Sequence, residues 1–167
     1  MLTGAIDLSE VAAGTAIKLK GFVEPFGMAP PDFSAYALVD VSDLRAVLRV
    51  NWVPATSLPF ADASAEGITL SLEGTWQHYL VRGNVVTDLY DLELPPVIAP
   101  KGDGIELYVL KYGTVTELHT VFGTFVERAE ALLEDGYRTK QASAIGLFDD
   151  ATSTLTANAV EIRFSRL

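Results

Sequence analysis

The chain has 167 residues, 49% of them hydrophobic, with 22 acidic against 12 basic side chains and a formal charge of −10. Such apolar content rules out a disordered chain and suffices for one domain or two small ones, but no apolar run reaches the roughly eighteen residues of a membrane-spanning helix. Zero cysteines remove disulfides, thiol catalysis and thiolate zinc sites, and the negative field repels nucleic acid and anionic membranes.

In chain order, residues 1–14 read as a loose arm ending in a turn at Gly14, without the basic and apolar regions of a secretory signal. Thr15 to Val23 alternates as a strand, and Gly21 permits a bend. Glu24 to Asp32 holds three prolines and is a loop; Phe33 to Val41 is the next strand. Arg45 to Trp52 places Ala46, Leu48, Val50 and Trp52 on one side and Arg45, Arg49 and Asn51 on the other, the pattern of a half-buried antiparallel strand. Pro54 to Gly67 is a long loop, and Ile68 to Glu73 a short strand. Gly83-Asn84 marks a tight hairpin between Trp76–Arg82 and Val85–Leu92. Leu94 to Gly104 is a second long loop, and Ile105 to Val121 is one long strand or two bent at Tyr112-Gly113.

A helix is expected at about 125–135. Phe122, Phe125, Val126, Ala129, Leu132 and Leu133 share one face, and Glu127, Arg128, Glu130, Glu134 and Asp135 the other. Thr124 and Glu127 have capping-box spacing, and Gly136 stands where a left-handed residue closes a helix. Arg138–Phe148 and Thr154–Phe164 follow as strands joined by the turn 149–153. In the last strand Leu155, Ala157 and Ala159 alternate on one side, then Val160, Ile162 and Phe164 on the other. A bulge near Ala159 keeps both sets on one core.

The two ends echo each other. Gly14, Gly21 and Ser34-Ala35-Tyr36-Ala37-Leu38 match Gly136, Gly146 and Thr156-Ala157-Asn158-Ala159-Val160. From Thr75 onward the order is strand, strand, long strand, helix, strand, strand, as in an OB barrel. These residues resemble the small OB-like β-barrel repeats of bacterial envelope proteins and lipoproteins of unassigned function. The resemblance covers about 35 residues at each end and brings no catalytic residues. It implies a mainly β fold of OB-like antiparallel barrel units, two if the repeat is real, with one main helix. The expected division is an N-terminal β unit, 1–73, and a C-terminal OB-like barrel with its helix, 74–167. The implied compartment is the periplasm or cell envelope where a signal has been removed, and otherwise the cytoplasm.

Candidate chemistry is sparse. His78 and His119 lie in strands without a second ligand at metal spacing, and no serine sits in a nucleophile elbow. Asp88, Asp91 and Glu93 cluster, but Asp88 and Asp91 fall on opposite faces of a regular strand. Asp149-Asp150 fits turn chemistry, and Lys101-Gly102-Asp103-Gly104 lacks calcium-loop spacing. No catalytic, cofactor or metal residue is assigned. Trp52, Arg45, Arg49, Trp76 and Tyr79 form the candidate binding surface, and exposed strand edges offer a route to a homodimer. The leading expectation is a non-catalytic binding or structural module with an unknown partner. Its rivals are an OB-type binder of single-stranded nucleic acid and a small hydrolase with acidic residues in a barrel mouth.

Overall fold

Two strands of the first unit, Met1–Leu44, pair as an antiparallel hairpin, β1 (Ile17–Val23) against β2 (Phe33–Asp40). The computed structural model describes residues 17–23 and 33–166, so the expected arm through Gly14 and the Glu24–Asp32 loop lie outside the described residues. Lys20 pairs with Ala37 and Gly21 with Ala35, which leaves Tyr36 as a bulge with its ring 5.4 Å from that of Phe22.

The second unit, Arg45–Leu167, holds one ten-stranded sheet and one α-helix. In chain order come β3 (Ala46–Thr56), β4 (Phe60–Ala63), β5 (Ile68–Leu70), β6 (Thr75–Arg82), β7 (Val85–Asp88), β8 (Val97–Pro100), β9 (Leu107–Tyr112) and β10 (Val115–His119). Helix α1 (Phe122–Glu134) precedes β11 (Arg138–Asp149) and β12 (Thr154–Ser165). Across the sheet the order is β4-β5-β8-β12-β11-β3-β6-β7; β9 also lies against β12, with β10 outside it. No pairing joins β4 to β7 among the described residues, so the mainly β fold is an open sheet where a closed barrel was expected. β3 pairs with both β6 and β11 inside the second unit.

β8 and β9 act as one interrupted strand. Both run parallel to β12, β8 along Thr154–Ala157 and β9 along Ala159–Phe164, with the 101–106 loop between them. Two loops expected from the sequence therefore contain strands: β4 falls within 54–67 and β8 within 94–104. Each is only four residues long; β4 pairs with the nearby β5, whereas β8 pairs with β5 and the remote β12. The hairpin at Gly83-Asn84 forms with positive φ at both residues, 49° and 69°.

The expected phase shift in β12 is present. Ile145 pairs with Ala159 and Gly146 with Ala157, so Asn158 is the extra residue. Leu155, Ala157, Val160, Ile162 and Phe164 all reach the buried face, while Ala159 is only half-buried. The β1–β2 hairpin has the same register: a glycine opposite the first alanine of Ala-x-Ala, and x left unpaired.

Helix α1 covers the inner face of the sheet with Phe122, Phe125, Val126, Ala129 and Leu132, the stripe its periodicity defines. It begins earlier than its cap residues suggest. Val121 is the N-cap without a side-chain bond, and the Thr124 hydroxyl donates to the Val121 carbonyl at 2.9 Å, so no capping box forms. Gly136 closes the helix at φ 88°, as expected, with the Tyr137 N–H returning to the Leu132 carbonyl at 3.0 Å.

A polar clasp joins α1 to the β9–β10 hairpin. Arg128 donates to both Glu117 oxygens and, at 3.0 Å, to the Tyr112 hydroxyl, which in turn donates to Glu117. The Arg128 and Tyr112 hydrogen bonds hold the Glu117 carboxyl below the ordinary range, although partial burial pushes it upward. A depressed native pKa contributes stability above the ordinary carboxylate value and loses it as pH falls through the native one. Glu117→Gln is therefore expected to lower the urea midpoint at about pH 7 and to differ less from the parent at about pH 3. A gap of the same size at both pH values would show that the charge on Glu117 is not what holds the clasp.

Candidate binding face

Strand alternation gives the sheet a second face, away from α1. Strand registers set its residues in rows across the strands. One row is Gln77, Asn51, Gln141, Arg163 and Lys111. The next is Tyr79, Arg49, Ser143, Glu161 and Val109. A third, Val81, Val47, Ile145, Ala159 and Leu107, is wholly apolar. Amides and cations therefore grade into hydrocarbon across one surface.

Two hollows open on this face. The larger, about 440 Å³, is lined by Asn51, Trp52, Val53, Pro54, Ala55, Trp76, Lys140, Gln141 and Arg163. Its cause is a local loss of pairing on both sides of β3. Against β11, Asn51 pairs with Gln141 and Thr56 with Thr139, so Trp52–Ala55 stand opposite Lys140 alone. Against β6, Asn51 pairs with Gln77 and Trp52 with Thr75, which leaves Trp76 as a bulge. Bulges re-aim side chains, and Trp76 is 60% exposed. The second hollow, about 330 Å³, shares Gln141 and Arg163 with the first and extends over Arg49, Leu107, Ile145 and Glu161.

Charge here departs from the chain's overall sign. Arg49, Lys140 and Arg163 line the hollows with Glu161 as the only carboxylate among the lining residues. Burial pushes Glu161 upward, but Lys111 at 2.7 Å and Arg163 at 2.5 Å outweigh it and hold the group below the ordinary range. The Arg163 bond to Glu161 uses Nε, which leaves the terminal fork of the guanidinium for another partner. Asn51 and Gln77 join side chain to side chain at 2.7 Å.

The five residues proposed from sequence separate. Arg49 and Tyr79 share a row, and Trp76 stands at the rim of the larger hollow. Trp52 is 1% exposed, its ring in the core and its Nε1 bonded to the Ser71 carbonyl at 3.2 Å, so it offers no stacking surface. Arg45 lies beyond the apolar row and donates to Asn158 at 2.7 Å. Sequence reasoning missed Lys140, Gln141 and Arg163. The β12 phase shift places Arg163 outward; nothing local marks the Lys140 bulge.

The remaining polar groups serve structure. Arg82, 3% exposed, grips Asp150 through two bonds of 2.6 and 2.7 Å, and Asp149 accepts from the Ala151 N–H at 2.9 Å. Both aspartates thus have partners within their own turn and sheet. Asp88 caps a 3₁₀ turn, Leu89–Asp91, and lies 3.2 Å from His78 Nε2. His78 Nδ1 is 2.9 Å from the Thr75 hydroxyl, which gives the outline of a hydroxyl–imidazole–carboxylate relay. The hydroxyl has a single proton, and its shorter contact, 2.7 Å, is to the Leu72 carbonyl. The Tyr90 hydroxyl donates to the same carbonyl at 2.8 Å, so the group fastens the 3₁₀ turn to β6. Glu117 and Glu161 are both held low, opposite to the raised acid of a glycosidase pair. Among the described residues no helix is long and apolar enough to cross a membrane.

These features define an open, mainly β sheet with one helix on its inner face and a graded basic-to-apolar outer face. No family model matches the chain, and neither a curated protein nor a solved structure matches it.

Proposed function

We propose that the chain is a non-catalytic binding module of the bacterial cell envelope that takes its ligand on the outer face of the sheet. One observation carries this reading: an acidic chain of −10 gathers Arg49, Lys140 and Arg163 beside an exposed Trp76 on a face that no helix covers among the described residues. Exposed aromatic and basic side chains around a hollow are the ordinary means of orienting a ligand. The shared Gly/Ala-x-Ala bulge supports treating the β1–β2 and β11–β12 hairpins as two copies of one OB-like unit. Cysteine-free composition and the sequence resemblance support the envelope compartment; cell fractionation tests it, and recovery in the cytoplasm alone overturns it.

The binding reading is tested by titrating ¹⁵N-labelled protein with acidic oligosaccharide and with single-stranded DNA at low salt. Amide shifts confined to Arg49, Gln141, Arg163 and their row neighbours are the expected result. Shifts confined to α1, or none with either probe, overturn it. Arg49 and Tyr79 in one row would also suit a stacked, single-stranded nucleic acid. The overall charge and Glu161 between Lys111 and Arg163 weigh against a polyphosphate.

A further inference from the structure

We infer that the 440 Å³ hollow is a subsite for a sugar ring bearing a carboxylate, so that the ligand class is an acidic oligosaccharide. This rests on the binding reading above and narrows it. Pockets for small ligands span about 300–1,000 Å³, so the hollow has room for sugar rings. Three kinds of group meet there, each matched to one part of a uronic acid.

The first is Trp76, held out of the sheet by its bulge and 60% exposed. An indole plate beside a groove offers an apolar surface to the C–H face of a pyranose ring, and its Nε1–H remains a donor for a hydroxyl. The second is the run of carboxamides. Asn51 and Gln141 line the hollow and Gln77 follows them in the same register row; because Asn51 donates to Gln77, Asn51 offers one further donor and its carbonyl, and Gln141 offers both donors and an acceptor. Sugar hydroxyls, which donate and accept at once, match such groups; a phosphate, which only accepts, uses half of them. The third is the pair of cations at the far side, Lys140 and Arg163. A guanidinium fork suits a carboxylate, and the Nε bond to Glu161 fixes how the Arg163 group is held.

A nucleic-acid strand requires a basic track to follow its backbone. Here the cations beside Trp76 are two, and along the Arg163 row the next cation, Lys111, is shared with Glu161. Two cations at one side of the hollow suit the carboxylate of a single ring.

The probe is tetra-galacturonic acid, compared with the neutral galactose tetramer and an eight-nucleotide thymidine oligomer. Binding is followed by tryptophan fluorescence and calorimetry. Trp52, enclosed in the core, supplies the constant background, so a change in emission reports Trp76. Expected results are saturable binding of the acidic tetramer that weakens with salt, and much weaker binding of the neutral one. Arg163→Gln and Lys140→Gln are each expected to weaken affinity about tenfold, as for loss of a charge-assisted hydrogen bond. Trp76→Ala, at an exposed position, should abolish the calorimetric signal while its melting curve stays that of the parent. Equal affinity for the neutral tetramer overturns carboxylate recognition. Binding of the thymidine oligomer alone, lost in the same variants, overturns the saccharide assignment and leaves the binding face standing. No response to any probe, with no amide shift on the outer face, overturns both.

Discussion

Gly146→Ala is expected to lower the melting temperature by about 10 °C or more, a loss of about 3 kcal/mol or above. The cause is close approach. A Cβ at Gly146 would lie 2.0 Å from the Thr156 carbonyl oxygen, 2.7 Å from its carbon and 2.8 Å from the Ala157 Cα. All three are backbone atoms, so no rotamer change relieves the overlap. β11 and β12 must separate at the bulge around Asn158, where the sheet redirects Val160, Ile162 and Phe164 into the core. Gly123→Ala in α1 is the control. Its new methyl meets the Ala65 Cβ at 3.3 Å, a contact that neighbours can absorb, and the gain of about 1 kcal/mol in helix propensity offsets it. A calorimetric scan that places both variants within a degree or two of the parent would rule out so tight a crossing of the two strands.

Phe125→Ala is expected to cost about 3–5 kcal/mol, read as a shift in the urea midpoint at unchanged slope. Phe125 is fully buried, its ring 5.4 Å from Tyr108, 5.8 Å from Phe122 and 6.1 Å from His119. Truncation opens a cavity between helix and sheet that this aromatic cluster cannot collapse to fill. Against a total domain stability of about 5–15 kcal/mol, that loss leaves the unit near its folding threshold. Glu130→Ala, on the exposed side of α1, should stay within about 0.5 kcal/mol. If Phe125→Ala behaves like Glu130→Ala, the helix is only resting on the sheet.

Much of the fold was legible because a single periodicity governed it. Ala46, Leu48, Val50 and Trp52 alternate without interruption, and the structure buries all four. The stripe of α1 and the phase change in β12 were equally plain, since each repeats over several residues. What escaped was short and, for β8, depended on a remote partner. β4 and β8 have too few residues to show a period, and Pro59 before β4 and Pro100 at the end of β8 carry loop composition. Closure failed as an expectation because element order does not specify which edges meet. The binding face was legible only in part. Trp52 had been grouped with Arg49, although the alternation of their own strand already set them on opposite faces. Lys140 escaped because a bulge has no local signature, and Arg163 because its neighbours in space come from β9 and β11.

β12 has a temporal consequence. It lies near the middle of the sheet, with β11 on one side and β8 and β9 on the other, yet it is the last of these strands to be synthesised. A nascent chain halted just before Thr154 would already hold β8 and β9, whose bonding edges await β12. Such edges invite pairing with other chains, and contacts so distant in sequence form slowly. Synthesis thus leaves the sheet vulnerable in the interval between the emergence of β9 and that of β12. Slow codons shortly upstream of Thr154 would lengthen that exposure, and a chaperone shielding β8 and β9 would shorten its effect.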